Sequence, residues 1–299
     1  MRFRAAPRLV VLGLVAALFM PAHDAAAAAC GRATGCTKFE LIHAGSTYGW
    51  YPARLRYEFR TEDGDSVPGV FSLAGQTERW VVGAVGHGTQ EIHSLTGDVV
   101  NDWNQSFKKG RWETRFRSLA TRDKSDVDPT DFSVKLELVP DGTPAGRCAP
   151  ESITLAAYNP AQPGVATIGV TTPGRVLSDT ISPRGPISDV DNWVGDQSIA
   201  TSAWRVWAVE VTKKSISFFV DGKIVRKQPR DGLLAGRRLH LRLSLIGTPG
   251  AAMAETWTQQ DWVRYWPMKR TTKAKAKVRQ LANAQPLASV GTAPVNPGC

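Results

Sequence analysis

Carboxylates and a neighbouring arginine are the first side chains of this sequence whose spacing suggests chemistry. Glu113 and Arg115 stand two positions apart in a run of alternating residues, so both side chains point to one face of a strand. We expect them to pair with each other, although either could instead bind a ligand. Glu151 begins another such run beside Pro150. It could accept hydrogen bonds from ligand hydroxyl groups, or be only a polar residue at a strand start.

Tryptophans form the second set of candidate residues. The sequence contains 10 Trp, and an exposed indole offers a flat apolar surface on which a sugar ring can stack. Trp103 and Trp193 fall in loop-like stretches, and we expect these two to be the sugar-stacking residues. Most of the other tryptophans are expected to fill a hydrophobic core.

Other kinds of catalytic site lack their usual residue spacing. The histidines are scattered, and no His-x-His or His-Glu-x-x-His spacing indicates a metal site. No serine stands in a Gly-x-Ser-x-Gly turn, and no glycine-rich phosphate loop is present. We therefore predict no metal and no cofactor. The histidines in question are His43, His87, His93 and His240.

Short alternating segments must position these residues. From Arg54 onward, period-two patterns separated by turn residues predict two packed antiparallel sheets with no long helix. The clearest element is a hairpin, because Asp221-Gly222 is a favoured two-residue turn between Ser215–Val220 and Lys223–Arg226. Further strands are predicted at 55–59, 112–117, 133–139, 152–157, 206–212, 239–245 and 260–266.

Three ordered stretches carry a resemblance to a known family. The stretch Gly110–Arg117 resembles the Gly-Arg-(aromatic)-Glu-Ala-Arg strand of glycoside hydrolase family 16. Residues 204–223 are similar to that family's Trp-His-x-Tyr-Ala-Val-Glu-Trp strand and the Val-Asp-Gly turn after it, and Asp261–Trp266 resembles its closing Asp-Trp-Val-Arg strand. Over residues 75 to 268, this resemblance implies a concanavalin-like jelly roll, an all-β sandwich of two antiparallel sheets, with a polysaccharide partner.

The catalytic motif of that family, Glu-x-Asp-x-(x)-Glu, is not intact in this sequence. The resemblance implies that its first Glu is the nucleophile and its last Glu the acid/base of a retaining mechanism. The corresponding segment is 148–158, where Glu151 aligned with the nucleophile places Ile153 at the Asp and Leu155 or Ala156 at the acid/base. Moving the alignment by one residue gives Pro150, Ser152 and Leu155 instead. At most one catalytic carboxylate remains.

These observations favour a carbohydrate-binding protein that has lost hydrolysis, with Trp103, Trp193, Glu113 and Arg115 as substrate-binding residues. A first alternative is an active glycosidase or transglycosidase with relocated carboxylates, drawn from Glu113, Glu137, Glu151 and Asp191. In that case Glu151 is our candidate catalytic residue. A second alternative is a cell-wall structural or interaction protein.

The N-terminus predicts export from the cytoplasm. Residues 1–29 combine a basic start, an apolar run of about 12 residues and an Ala-rich end, which is the pattern of a cleavable secretion signal. We place cleavage near Ala29, with lipid attachment at Cys30 as the alternative. The jelly-roll domain is then expected over residues 30–268 of a secreted protein, with association to the cell wall as the alternative to free secretion. An oxidising compartment favours two disulfides, and we expect Cys30 with Cys36 and Cys148 with Cys299 among three possible pairings.

A basic segment follows the predicted domain. The chain has a formal net charge of +10, and several basic residues crowd the start of an Ala/Pro-rich tail predicted over residues 269–299. We expect this tail to be solvated, with attachment to anionic cell-envelope polymers as the alternative. Export argues against a nucleic-acid partner. After the signal, no apolar run reaches the roughly 18 residues of a membrane-spanning helix.

Overall fold

The computed structural model describes most of the predicted domain. The described residues are 44–50, 54–57, 59, 71–75, 79–84, 89–94, 98–121, 132–146, 149–159, 165–182, 204–268 and 284–291. Several predictions concern residues outside these ranges and stay predictions. They concern the export signal, the four cysteines, Asp191, Trp193 and the basic segment at 269–283.

Sixteen strands and one short helix make up the described part of the chain. The helix is α1 (Ala44–Thr47). The strands, in chain order, are β1 (Leu55–Tyr57), β2 (Phe71–Gly75), β3 (Arg79–Ala84), β4 (Thr89–Ser94), β5 (Val99–Trp103), β6 (Gly110–Thr121), β7 (Ser133–Pro140), β8 (Ser152–Tyr158), β9 (Ala166–Thr172), β10 (Arg175–Ile181), β11 (Arg205–Val211), β12 (Ser215–Val220), β13 (Lys223–Pro229), β14 (Leu239–Ile246), β15 (Glu255–Trp266) and β16 (Ser289–Gly291).

The strands form two antiparallel sheets that pack face to face. Sheet A has the order β13-β12-β11-β6-β15-β4-β3, with β1 also paired to β15. Sheet B has the order β16-β10-β9-β8-β7-β14-β5-β2. All strand pairs among the described residues are antiparallel, which confirms the predicted all-β sandwich.

The hydrophobic core lies between the two sheets. Sheet A contributes Trp112 and Phe116 from β6, and sheet B contributes Leu136 and Leu138 from β7, all at most 1% exposed. Because alternate side chains of a strand point to opposite faces, the residues between them face outward. Each sheet therefore has an inner apolar face and an outer face, and the two outer faces lie on opposite sides of the sandwich.

The predicted hairpin is present as β12 and β13. Asp221 and Gly222 both have positive φ, 48° and 70°, as a two-residue turn of this kind requires. The carboxylate of Asp221 also accepts a hydrogen bond from the backbone N–H of Val206 at 3.0 Å. This contact ties the turn to the neighbouring strand β11.

The end of the domain lies beyond the predicted boundary at residue 268. Strand β16 pairs with β10, and Leu287 is 6% exposed in the core between the sheets. Lys227 of β13 donates its backbone N–H to the carbonyl oxygen of Gln285 at 2.9 Å. Residues 284–291 therefore belong to the sandwich, and the prediction that the solvated tail begins at 269 is wrong for this segment. Among the described residues, no helix is long and apolar enough to cross a membrane.

Candidate functional site

Strand β8 carries residues 152–158, which lie within the segment that the sequence resemblance aligned with the catalytic motif of family 16. Ile153 and Leu155 are buried in the core between the sheets, so they point inward. Thr154 lies opposite Glu137 of β7, and Ala157 lies opposite Lys135 of the same strand. The pairing shifts by one residue between Thr154 and Ala157, which is the pattern of a β-bulge. The outward-facing residues of β8 are therefore Ser152, Thr154 and Ala157.

This outward row has the spacing of Glu-x-Asp-x-x-Glu. Ser152, Thr154 and Ala157 stand at the first, third and sixth positions of that pattern, and none of them is a carboxylate. Both alignments considered from the sequence placed Ile153 or Leu155 at a catalytic position, which is wrong because these side chains face the core. The bulge moves the outward face by one residue, which simple alternation does not predict. The alternation of polar and apolar residues at 152–155 is the sequence signal for which of these side chains face outward.

The strands beside β8 complete a polar face on sheet B. We use this name for the outward residues Asp102, Lys135, Glu137, Ser152, Thr154, Ala157, His240, Arg242 and Ser244. Arg242 of β14 lies between Glu137 of β7 and Asp102 of β5 in the strand register. The ammonium group of Lys135 lies 2.8 Å from a carboxylate oxygen of Glu137, and both side chains are buried. The charges of this face are therefore paired within the sheet.

Arg242 is the most constrained cation of the polar face. Its side chain is 0% exposed, and its guanidinium donates to both carboxylate oxygens of Asp102 at 2.6 and 2.9 Å. It also donates to the carbonyl oxygens of Thr143 and Pro144. Burial would raise the pKa of Asp102, but the hydrogen bonds and charges of His240 and Arg242 together hold it below its usual value of 3.8.

Three buried hydroxyl groups on the polar face have no hydrogen-bond partner among the described residues. They belong to Ser152 and Thr154 of β8 and to Ser244 of β14. A buried polar group without a partner costs about 1–3 kcal/mol. A row of neighbouring outward residues crosses β8, β9 and β10 at Ala157, Thr167 and Thr180. Thr180, at the end of this row, is exposed. The side chains of Ser152 and Thr154 are themselves 0% exposed.

Glu151 lies just before β8 at the rim of this face. Its carboxylate forms an ion pair with Arg237 at 2.8 Å, and its side chain is 19% exposed. Nearby, the exposed Arg238 pairs with Asp141, whose carboxylate also accepts a hydrogen bond from the Ser106 hydroxyl at 2.7 Å. Glu151 is therefore part of a charged rim and does not belong to the outward row of β8.

Trp103, predicted to stack on sugar, is instead a core residue. It ends strand β5 and is 0% exposed, packed against the ring of Tyr57. Its position three residues before a turn-rich stretch suggested a loop, but the strand continues through it. Trp193 lies outside the described residues.

Glu113 and Arg115 lie on the outer face of sheet A, on the opposite side of the sandwich from β8. They share a face as predicted, but they do not pair as predicted. The guanidinium of Arg115 donates to Asp261 at 2.6 Å, while Glu113 accepts hydrogen bonds from the backbone N–H groups of Ala44 and Gly45. The structure therefore does not bring them together with β8, and their assignment as substrate-binding residues stays a prediction. Among the described residues, no group of three His, Cys, Asp or Glu could hold a metal ion.

Comparisons with known proteins relate this fold to glycoside hydrolase family 16. No family model and no curated protein sequence matches the chain. Solved structures that match include laminarinases and β-glucanases of that family. The sequence identities to these structures are 10–15%, so the match establishes the fold alone. It confirms the predicted jelly-roll resemblance at that level.

Three of the structural neighbours match this chain over nearly their whole length. The catalytic domain of an endo-1,3-β-glucanase (laminarinase) from Thermotoga petrophila has a TM-score of 0.53 at 10% identity, covering 73% of this chain and 98% of the other. A variant of LamA from Z. galactanivorans, in complex with laminaritriose and laminaritetraose, has a TM-score of 0.51 at 11% identity, with 73% and 99% covered. The β-glucanase of Bacillus licheniformis has a TM-score of 0.50 at 12% identity, with 74% and 100% covered.

Proposed function

We propose that this protein is exported and binds a polysaccharide on the polar face of sheet B without hydrolysing it. The observation that carries the proposal is the outward row of β8. Ser152, Thr154 and Ala157 have the spacing of the family's carboxylate motif, including the bulge, but carry two hydroxyls and a methyl group. A retaining glycosidase needs a carboxylate nucleophile and a carboxylic acid about 5–5.5 Å apart. This row supplies neither group.

The same face retains groups suited to sugar binding. The hydroxyls of Ser152 and Thr154 can donate to and accept from the hydroxyl groups of a sugar. Both are buried without a partner, so a ligand that supplies hydrogen bonds removes a cost that the protein otherwise bears. Because one structural neighbour binds laminaritriose and laminaritetraose, we propose β-1,3-linked glucan as the first ligand class to examine.

An enzymatic alternative rests on the remaining carboxylates of the polar face. Glu137 lies directly opposite Thr154, and Asp102 lies on the other side of Arg242. Strands about 4.8 Å apart place these two Cα atoms about 10 Å from each other, near the wider carboxylate spacing of inverting enzymes. However, both carboxylate oxygens of Asp102 accept hydrogen bonds from Arg242. Asp102 is therefore not free to act as the second catalytic carboxylate beside Glu137.

A glycan array combined with a hydrolysis screen tests the proposal. We expect the purified protein to bind β-glucans on the array and to release no reducing ends from the same glycans. The double variant Ser152→Ala/Thr154→Val should weaken binding by tenfold or more, because each lost hydrogen bond contributes about 0.5–1.5 kcal/mol. Ser217→Ala is the matched control, since its hydroxyl is also buried and unpaired but belongs to sheet A.

Two results would contradict the proposal. Release of reducing ends that Glu137→Gln abolishes would establish the enzymatic alternative. Silence on the array, together with salt-sensitive retention on isolated cell walls, would favour a structural wall protein attached through its basic tail. Export itself is tested by N-terminal sequencing of the protein recovered from the culture medium, where we expect the chain to begin near Cys30.

A further inference from the structure

Three pairs of adjacent basic residues occupy turns at one end of the sandwich. They are Lys108-Lys109 before β6, Lys213-Lys214 after β11 and Arg237-Arg238 before β14, and all six are exposed. The first two turns lie side by side, because Gly110 at the start of β6 pairs with Val211 at the end of β11. A bridge between Phe107 and Leu239 joins the β5–β6 loop to the start of β14. The strand register therefore brings the three pairs to the same end of the domain.

Arg54, which is also exposed, joins this group. Its backbone N–H donates to the carbonyl oxygen of Tyr265 at 2.9 Å, and its guanidinium lies 5.9 Å from the centre of the Phe107 ring. The hydroxyl of Tyr265 in turn donates to the carbonyl oxygen of Lys109 at 2.9 Å. Arg54 therefore lies beside the first lysine pair. We call Arg54 and the three pairs the cationic end.

A buried arginine fixes two of the turns that carry these residues. Arg230 is 6% exposed, and its guanidinium donates to the carbonyl oxygens of Thr212, Leu233 and Leu234 at 2.7, 2.9 and 2.6 Å. Its backbone N–H donates to the carbonyl oxygen of Lys214. These contacts use backbone atoms of the turns and leave the lysine side chains in solvent. No described carboxylate pairs with Arg230, so its charge adds to the positive potential of this end.

Few acidic side chains offset this charge. Where the structure describes exposure, Asp141 and Asp231 are the only exposed carboxylates, and Asp141 is bound to Arg238. Glu151, which is 19% exposed, pairs with Arg237. None of the four lysines forms an ion pair within the described part of the chain. Their ammonium groups are therefore available to an anionic partner.

We propose that the cationic end binds an anionic polysaccharide through the repeated acidic groups of the polymer. Paired cations on neighbouring turns suit a ligand whose charges repeat, because each further contact is intramolecular once the first has formed. This surface is separate from the outward row of β8. The inference therefore does not rest on glycan binding to the polar face of sheet B.

The chemistry of this end favours a polymer over a membrane. A protein that binds at a bilayer surface inserts exposed apolar or aromatic side chains. Among the residues whose burial is described, the only exposed large hydrophobic side chain is Val165. It precedes β9 at the opposite end of the domain, because the start of β9 lies beside the end of β8. The predicted export from the cytoplasm disfavours nucleic acid.

The basic segment of the C-terminal region begins close to the same surface. Strand β15 finishes at this end, because Trp266 pairs with Arg111, the residue after Gly110. Lys269 follows three residues later, so at most about 11 Å of chain separates it from Trp266. Six basic residues lie within positions 269–279. This segment offers further positive charges to a polyanion bound at the cationic end.

A binding titration with polygalacturonate tests the proposal, with dextran sulfate as a second polyanion. Methyl-esterified polygalacturonate is the matched control, since it has the same backbone without the charges. We expect saturable binding to both polyanions that weakens as salt is added, because ions screen exposed charges. We expect no binding to the esterified polymer. The variant Lys108→Gln/Lys109→Gln/Lys213→Gln/Lys214→Gln should bind the polyanions about tenfold more weakly.

Two single variants separate this surface from net charge. Lys109→Gln and Lys223→Gln remove the same charge at opposite ends, because Lys223 is exposed beside the Asp221-Gly222 turn. Lys109→Gln should weaken binding about twofold, whereas Lys223→Gln should leave it unchanged. Ser152→Ala/Thr154→Val should also leave it unchanged, which separates the cationic end from the sugar site proposed on sheet B.

Four results would overturn the proposal. The first is no binding to either polyanion, and the second is equal weakening by Lys109→Gln and Lys223→Gln, which net charge alone explains. The third is binding that survives the four-lysine variant but is lost when the basic residues of 269–279 are changed to Gln, since this would assign the polymer to that segment. The fourth is binding to phosphatidylglycerol vesicles without binding to the polyanions, which would make this end a membrane contact.

Discussion

The two outer faces of the sandwich treat their carboxylates in opposite ways. On sheet A, Glu113 is buried under a segment of backbone and accepts hydrogen bonds from two N–H groups. On sheet B, Asp102 is bound by the guanidinium of Arg242 through both oxygens. Burial dominates in the first case and raises the pKa of Glu113, whereas charged partners dominate in the second and lower the pKa of Asp102.

This difference separates a face on which a carboxyl group binds another part of the chain from a face that carries buried hydroxyls without partners among the described residues. Sheet A uses its buried carboxyl group to hold another part of the chain. Sheet B instead places two hydroxyls in the outward row of β8 and a third on β14, and none of the three has a hydrogen-bond partner among the described residues. Because sugars offer hydroxyl groups in abundance, the face with unpaired hydroxyls is the better candidate for a glycan.

The largest expected effect comes from removing the guanidinium on which the sheet B face depends. Arg242→Ala leaves Asp102 partly buried without its counter-ion and should lower the free energy of unfolding by about 3–5 kcal/mol. Arg111→Ala is the counterpart on sheet A, where the ion pair with Glu210 is more accessible to water. In urea unfolding, Arg111→Ala should lower the free energy of unfolding by less than half as much as Arg242→Ala. Equal losses at both sites would remove the energetic contrast between the two faces.

The second prediction uses the opposite pKa shifts. Ionisation of Glu113 should lower the free energy of unfolding by roughly 3 kcal/mol as the pH rises from 4.5 to 7, since each pKa unit corresponds to about 1.4 kcal/mol. Asp102 acts in the other direction, because a lowered pKa contributes stability that is lost as the pH falls below 3.8. When the free energy of unfolding is plotted against pH, Glu113→Gln should therefore remove its decrease toward neutral pH. Asp102→Asn should remove part of its decrease toward acidic pH. Slopes of the reverse sign would show that the causes of the two shifts are misassigned.

The smallest expected effect concerns the unpaired hydroxyls. Thr154→Val removes a buried hydroxyl that has no partner and keeps the shape of the side chain, so stability should stay within about 1 kcal/mol of the original or rise. Thr114→Val on sheet A is the contrasting variant, because its hydroxyl donates to the carbonyl oxygen of Trp262 at 2.7 Å. Thermal unfolding should show a clear loss only for Thr114→Val. A comparable loss for Thr154→Val would mean that its hydroxyl has a partner in solution.

Much of the fold follows from the sequence because strands leave a local signature. The alternation in β14 and the Asp-Gly turn between β12 and β13 were sufficient to predict those elements. The position of Leu287 in the core was not predictable in this way, since one apolar residue in an Ala/Pro-rich stretch has no periodicity. Its burial depends on the nearby edges of both sheets, which only the folded chain brings together.

The candidate site was harder to predict from the sequence than the fold. The resemblance singled out the segment that forms β8, but the bulge in β8 decides which of its side chains face outward. Likewise, Glu113 and Arg115 share a face as alternation predicts, yet their partners come from residues about 70 and 146 positions away. Local pattern predicts which face a residue lies on, whereas its partner depends on tertiary packing.

The most direct test of the central claim is a binding titration with laminaritetraose, followed in the same samples by a reducing-end assay. We expect saturable binding with no release of reducing ends, and we expect Ser152→Ala/Thr154→Val to weaken the binding about tenfold and Ser217→Ala to leave it unchanged. Reducing ends released by the unmodified protein, or binding that is insensitive to the double variant, would contradict the assignment of the polar face of sheet B as a non-hydrolytic glycan site.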